Sequence, residues 1–199
     1  MTASPSPTTQ SSSRNKYGLS PINSAPSQPR LKIISSQGQI QVHSSPYRGS
    51  FSVVLSEALR SAGLGSRVLI AQFLKGGVSQ GPQNAIRLCG KLQWLRPSIY
   101  GCINKHQTNN STQKEFIKND QAVKEVWEIC KKQLANNELD KLVLDEIGLA
   151  IEFGFITEKD LTTTLENRHD SIDVILTGPS IPSKVFSIAD QITQLRCSK

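Results

Sequence analysis

Acidic residues are missing from the first 56 positions of this 199-residue chain. The charged side chains before Glu57 are Arg14, Lys16, Arg30, Lys32 and Arg48, all basic. That leaves 18 basic against 16 acidic residues in the remainder, so the overall +7 belongs mostly to the leading segment. A broad basic face is therefore not expected, and nucleic acid is not an expected partner. No C-x-x-C spacing occurs: Cys89, Cys102, Cys130 and Cys197 lie far apart, which argues for a reduced intracellular protein and against a structural zinc site. His43, His106 and His169 are equally scattered and form no ligand set. No apolar run approaches the roughly 18–20 residues that span a bilayer, so no membrane segment is expected and the cytoplasm is the expected compartment.

Aliphatic residues are also scarce at the start. Residues 1–32 are rich in Ser, Thr and Pro and bury too little apolar surface to offset ordering entropy. Residues 1–35 are accordingly expected to be a disordered, basic Ser/Pro-rich tail, and 36–199 the folded domain. The leader lacks the apolar core of a secretory signal. Being Ser-rich and acid-free it also reads as a plastid transit peptide, although its five prolines spoil an amphipathic helix. Contact with an anionic partner is a further reading of the tail.

Beyond the tail, strand and helix patterns alternate. Ile40–His43 reads as a strand. Phe51, Val54, Leu55, Ala58, Leu59 and Ala62 recur at helical spacing, and Gly63 and Gly65 end that helix. Val68–Phe73 is a nearly all-apolar run, as expected of a strand covered on both faces. Leu92–Leu95 reads as a third strand, and 97–112 as a polar, irregular loop. A long helix is expected over Gln113–Asn136, with Phe116, Val123, Val126, Trp127, Cys130 and Leu134 on one face. Lys141–Asp145 is a strand, Glu158–Asn167 a helix capped by Thr157, Asp173–Leu176 a strand, Pro182–Ala189 a helix and Gln191–Arg196 an edge strand. Strands alternating with helices imply an α/β fold: a mostly parallel central sheet with helices on both faces. Ligands in such sheets bind beyond the carboxyl ends of the strands.

Three strand ends carry polar chemistry. The first is 44–52, SSPYRGSFS, between a strand and a helix. Laid on the phosphate-loop pattern G-x-x-x-x-G-K-[ST], it keeps only Gly49. Ser50 stands where the lysine would be, and Phe51 where the magnesium-binding hydroxyl would be. The helix N-terminus still offers N–H groups, Ser44, Ser45, Ser50 and Ser52 offer hydroxyls, and Arg48 a cation, so the segment is either an altered nucleotide site or an ordinary turn. The second is LVLDEIG at 142–148. An apolar strand ending in Asp145-Glu146 is either the place where phosphoryl-transfer proteins set carboxylates near magnesium or a strand end whose acids accept hydrogen bonds from a neighbouring loop. Adjacent residues point to different sides, so at most one faces a ligand directly. The third is ILTGPSIP at 175–182, where Gly178 precedes a helix, either another place for an anion or a tight connection with Gly for its turn. Gln72 and Lys75, in the AQFLKGG run, are either solvated polar residues or further groups for the same crevice.

Taken together, EALRSAGLGSRVLIAQFLKGG (57–77), VWEICKKQL (126–134), KLVLDEIGLAIEFGFI (141–156) and VILTGPSIPSKVFSIADQITQLR (174–196) resemble the P-loop type of ATP:corrinoid adenosyltransferase, in order and spacing, over 38–196. The sequence looks like a divergent, cyanobacterial-type branch with a degenerate phosphate loop. The resemblance implies a three-layer P-loop NTPase-like (RecA-like) fold, with ATP, Mg and a corrinoid as ligands, and transfer of the 5′-deoxyadenosyl group of ATP to corrinoid Co(I). It implies that Ser44, Ser45, Arg48, Gly49, Ser50, Ser52, Lys75 and Gly178 cradle the nucleotide. Asp145 and Glu146 would be catalytic, with Glu146 on the Mg ion, and the loop between Trp94 and Thr112 would cover the corrin. Pro179 departs from the arginine usual after the Thr-Gly turn. A homodimer is a further expectation. The alternative is a non-catalytic relative that binds a corrinoid or a protein.

Overall fold

The computed structural model describes residues 37–49, 51–77, 81–88, 90–104 and 113–195. The expected tail, Ser50, the end of the 97–112 loop, Cys89, His106 and Cys197 lie outside them. Seven strands form one sheet: β1 (Ile40–Ser44), β2 (Val68–Gln72), β3 (Ile86–Leu88), β4 (Leu92–Leu95), β5 (Lys141–Asp145), β6 (Asp173–Gly178) and β7 (Gln191–Gln194). Their order across the sheet is β3-β4-β2-β5-β6-β1-β7. All neighbours are parallel except β3 and β4, which form an antiparallel edge pair.

The helices are α1 (Ser52–Gly63), α2 (Gln113–Ala135), α3 (Ile147–Glu152), α4 (Glu158–Glu166) and α5 (Ser183–Ile188). Period-two alternation along each strand divides the core into two layers. Val68, Ile70, Val143 and Ile175 point to the face covered by Phe51, Val54, Ala58 and Ala62 of the α1 segment. Leu69, Ala71, Leu142, Leu144, Val174 and Leu176 point to the opposite face, where Val123, Val126, Trp127, Cys130, Leu161 and Val185 meet them. The sandwich therefore has three layers, with the central strands buried on both sides as their apolar runs require.

β3, α3 and the short 3-10 turn Pro82–Asn84 were not anticipated. β3 has only three residues, IRL, half-buried to exposed, and takes its strand form from antiparallel pairing with β4. α3 follows β5 with a single residue between, and its IGLAIE sequence is too apolar to show a helical stripe. Leu59, expected on the inner stripe of α1, is 37% exposed, because the buried stripe is the narrower one of Val54, Ala58 and Ala62. Thr157 caps α4 as expected, its hydroxyl accepting from the Asp160 N–H at 3.1 Å.

Candidate functional site

The polar chemistry gathers at the carboxyl ends of β1, β2, β5 and β6. Parallel register sets Gln72 beside Asp145 and Asp145 beside Thr177, while His43 and Ser44 flank Thr177 and Gly178. Asp145 is buried and fully engaged. Its Oδ1 accepts from the Thr177 hydroxyl at 2.7 Å, and its Oδ2 from Gln72 Nε2 at 2.7 Å and Lys75 Nζ at 2.8 Å. Gln72 Oε1 in turn accepts from Trp94 Nε1 and Arg96 Nε, each at 2.9 Å. The amide is thereby oriented so that its NH2 faces the carboxylate. Arg96 also lies over the Trp94 ring, 5.4 Å from its centroid.

Glu146 leaves the strand in a left-handed conformation, φ 60° and ψ 30°. This is uncommon for a non-glycine residue and costs on the order of 1 kcal/mol. It is held there by its N–H on Thr177 O at 3.0 Å and its carbonyl accepting from Ala150 N at 3.2 Å. The turn after β6 packs directly on it. Gly178 sits at φ 112°, and a Cβ there would meet Glu146 Cα at 3.0 Å.

The Glu146 side chain, 2% exposed, is bound by Arg48 from the β1–α1 loop. Arg48 Nε donates to Oε1 at 2.9 Å and Nη2 to Oε2 at 2.7 Å, a bidentate pair. Nη1 donates to Ile103 O at 2.8 Å and Asn104 Oδ1 at 2.5 Å. The hydrogen bonds to Glu146 are the main reason that the guanidinium is held above its ordinary pKa, ahead of the opposing effect of burial. The 99–104 segment is itself tied to the end of β2: Lys75 pairs with Cys102, Ile103 N–H bonds Leu74 O at 2.9 Å, and Gly76 N–H bonds Gly101 O at 2.6 Å. Arg48, Lys75, Asp145 and Glu146 thus form one contiguous cluster.

The other anticipated positions divide. Gly49 has φ 75°, the left-handed geometry for which glycine is suited. Ser45 is buried and its hydroxyl accepts the Tyr47 N–H at 3.1 Å, closing a local turn. Ser44 lies in β1 and Ser52 opens α1. Phe51 is 7% exposed, packed with the inner face of α1 and edge-on to His43 at 6.1 Å between centroids. The position of the missing hydroxyl has become part of the core. Trp94, Arg96, Thr177, Ile103 and Asn104 also build the cluster without having been singled out as ligands. Each is a lone polar or loop residue whose role depends on strand register or on a long-range approach.

The Mg expectation at Glu146 can be tested against this donor set. Magnesium takes oxygen ligands in near-octahedral geometry at about 2.0–2.1 Å. Both oxygens of Glu146 are taken by Arg48, both oxygens of Asp145 have donors, and Phe51 offers no hydroxyl. The residues present do not fit the ion.

Residues 36–199 match the family model described as ATP:corrinoid adenosyltransferase BtuR/CobO/CobP. The corrinoid adenosyltransferase of Escherichia coli strain K12 is 24% identical over 160 residues, covering 80% of this chain and 77% of that protein. That of Pseudomonas aeruginosa is 24% identical over 165 residues, covering 82% and 77%. An uncharacterized protein of Nostoc is 26% identical over 173 residues, covering 80% of this chain and 44% of its own length.

Proposed function

The chain belongs to the ATP:corrinoid adenosyltransferase family, and from that premise we propose that it transfers the 5′-deoxyadenosyl group of ATP to the cobalt of a reduced corrinoid. The observation that carries this reading is the family match over 36–199, which takes in every described element. In the proposed reaction Co(I) of the corrinoid substrate donates its electron pair to C5′ of ATP. The Co–C bond forms, the C5′–O bond breaks, and triphosphate leaves with that bond's electrons.

The protein's part is orientation and charge. The β1–α1 loop, with Ser44, Ser45, Gly49, Ser50 and Ser52, would line the triphosphate. Lys75 presents a cation that Asp145 positions, and Arg48 presents a second. Gly178 allows the β6 turn to approach Glu146 closely. The loop between Trp94 and Thr112 would cover the corrin. No helix among the described residues is long and apolar enough to cross a membrane, and a cytoplasmic enzyme is the proposed setting.

A second reading is favoured by one feature, the closure of both strand-end carboxylates by Arg48 and Lys75. It makes the chain a corrinoid- or protein-binding relative without turnover. One assay separates the two. The full chain is mixed with ATP and chemically reduced corrinoid, and a light-sensitive Co–C product is followed by absorbance. Product that disappears in Lys75→Ala supports the transferase. Corrinoid binding with no product at millimolar ATP supports the binding module.

A further inference from the structure

We propose that the Arg48 guanidinium stands in for the divalent cation, so that this crevice takes the phosphate groups of its nucleotide without a metal. The inference rests on the transferase reading of the same site and specifies how its anion is held.

Glu146 is where a metal would be sought, and it is the most enclosed carboxylate of the cluster. Its charge is already matched by a bidentate guanidinium at 2.9 and 2.7 Å. Arg48 is not a side chain swung in by chance. Its far side is fixed by Ile103 O and Asn104 Oδ1, so protein atoms hold it from two directions. A metal reaching Glu146 would have to displace an arginine from a buried carboxylate and break its bonds to Ile103 O and Asn104 Oδ1. The neighbouring Asp145 offers no easier route, because Thr177, Gln72 and Lys75 occupy its oxygens.

The same arrangement leaves donors for an anion. A guanidinium carries five N–H groups and an ammonium three. Among the described residues Arg48 uses four of its five, leaving one on Nη2, and Lys75 uses one of its three on a side chain. Both side chains keep an open side, at 30% and 27% exposure. Arg48, Lys75 and Arg96 against Asp145 and Glu146 leave the cluster one positive charge in excess with no ion added.

The test is calorimetry of ATP and of inorganic tripolyphosphate on the full chain, once in EDTA and once in excess magnesium. The proposal expects each ligand to bind in EDTA at least as tightly as in magnesium, because a metal already on the phosphates competes with Arg48 and Lys75 for them. Arg48→Ala should weaken binding in EDTA by about tenfold or more, and Arg48→Lys, which cannot bind bidentately, should weaken it less. Glu146→Gln should tighten binding in EDTA, because the guanidinium loses a competing anion. Thermal unfolding of each variant establishes that it is folded. Binding that requires magnesium, or that Glu146→Gln abolishes, overturns the proposal and leaves the transferase reading standing. No binding of ATP in either buffer overturns both.

Discussion

At the residue scale, Arg48 and Glu146 depend on each other. Removing the arginine leaves a nearly solvent-free carboxylate without its partner, which costs about 3 kcal/mol in such settings. Arg48→Ala is expected to lower the urea midpoint accordingly. Arg48→Ala combined with Glu146→Gln should recover most of the loss, because the double variant no longer buries an unpaired charge. A double variant no more stable than Arg48→Ala alone would count against that account. His43 gives a pH prediction. Burial holds its imidazole below the usual value of 6.5, against a smaller upward pull from Glu57. Above about pH 6.5 the residue is neutral folded and unfolded, and contributes nothing. As pH falls below that value the unfolded chain takes up a proton that the fold resists, so stability declines until the lowered folded pKa is reached. His43→Gln should flatten that limb when urea midpoints are compared from about pH 8 down to pH 5. Arg48 stood out in the sequence as the only cation in a loop where a phosphate site keeps its lysine. Its attachment to Glu146, 98 positions away, did not. No local pattern encodes which loops meet over a sheet edge.

At the element scale, the strand ends are located by packing tolerances as much as by hydrogen bonds. A Cβ at Gly148, in the first turn of α3, would overlap Pro179 O and Ser180 C. Both neighbours are backbone atoms and cannot swing away. Gly148→Ala should therefore push the β6 turn off α3 and destabilise by about 1–3 kcal/mol, read as a shift in thermal midpoint. Thr157→Ala removes one cap hydrogen bond at 3.1 Å and should cost about 1 kcal/mol, with no effect on the distant cluster. The cap was legible from sequence because its geometry is local. β2 and β5 were legible as continuous apolar runs, and α2 because its stripe repeats over enough residues to stand out. β3 and α3 were not. Three residues cannot display alternation, and a six-residue helix buried nearly all round has no polar face to mark its phase.

At the scale of the whole molecule, the first strand of the chain lies inside the sheet and not at its edge. β1 has paired neighbours on both sides, β6 and β7, so its backbone groups are satisfied inside the described unit. The approach to β1 is anchored as well. Gly38 N–H bonds Asp170 O at 2.6 Å, Arg168 Nη2 donates to Gly38 O at 3.1 Å, and Gln39 N–H bonds Asp173 Oδ1 at 3.0 Å. A side chain at Gly38 would overlap the Ile172 backbone, so this position is a structural seam, and the family match begins two residues before it, at residue 36. The folded unit should accordingly begin there. A chain lacking residues 1–35 is expected to unfold at the same urea midpoint and with the same m-value as the full chain, since the family match starts at residue 36. A chain lacking residues 1–40 should lose stability sharply, because it removes the Gly38 and Gln39 anchors and the first residue of β1. Equal midpoints for all three chains would mean that the seam at Gly38 contributes nothing to the fold. A drop already on removing 1–35 would place part of the stabilising structure upstream of the family match.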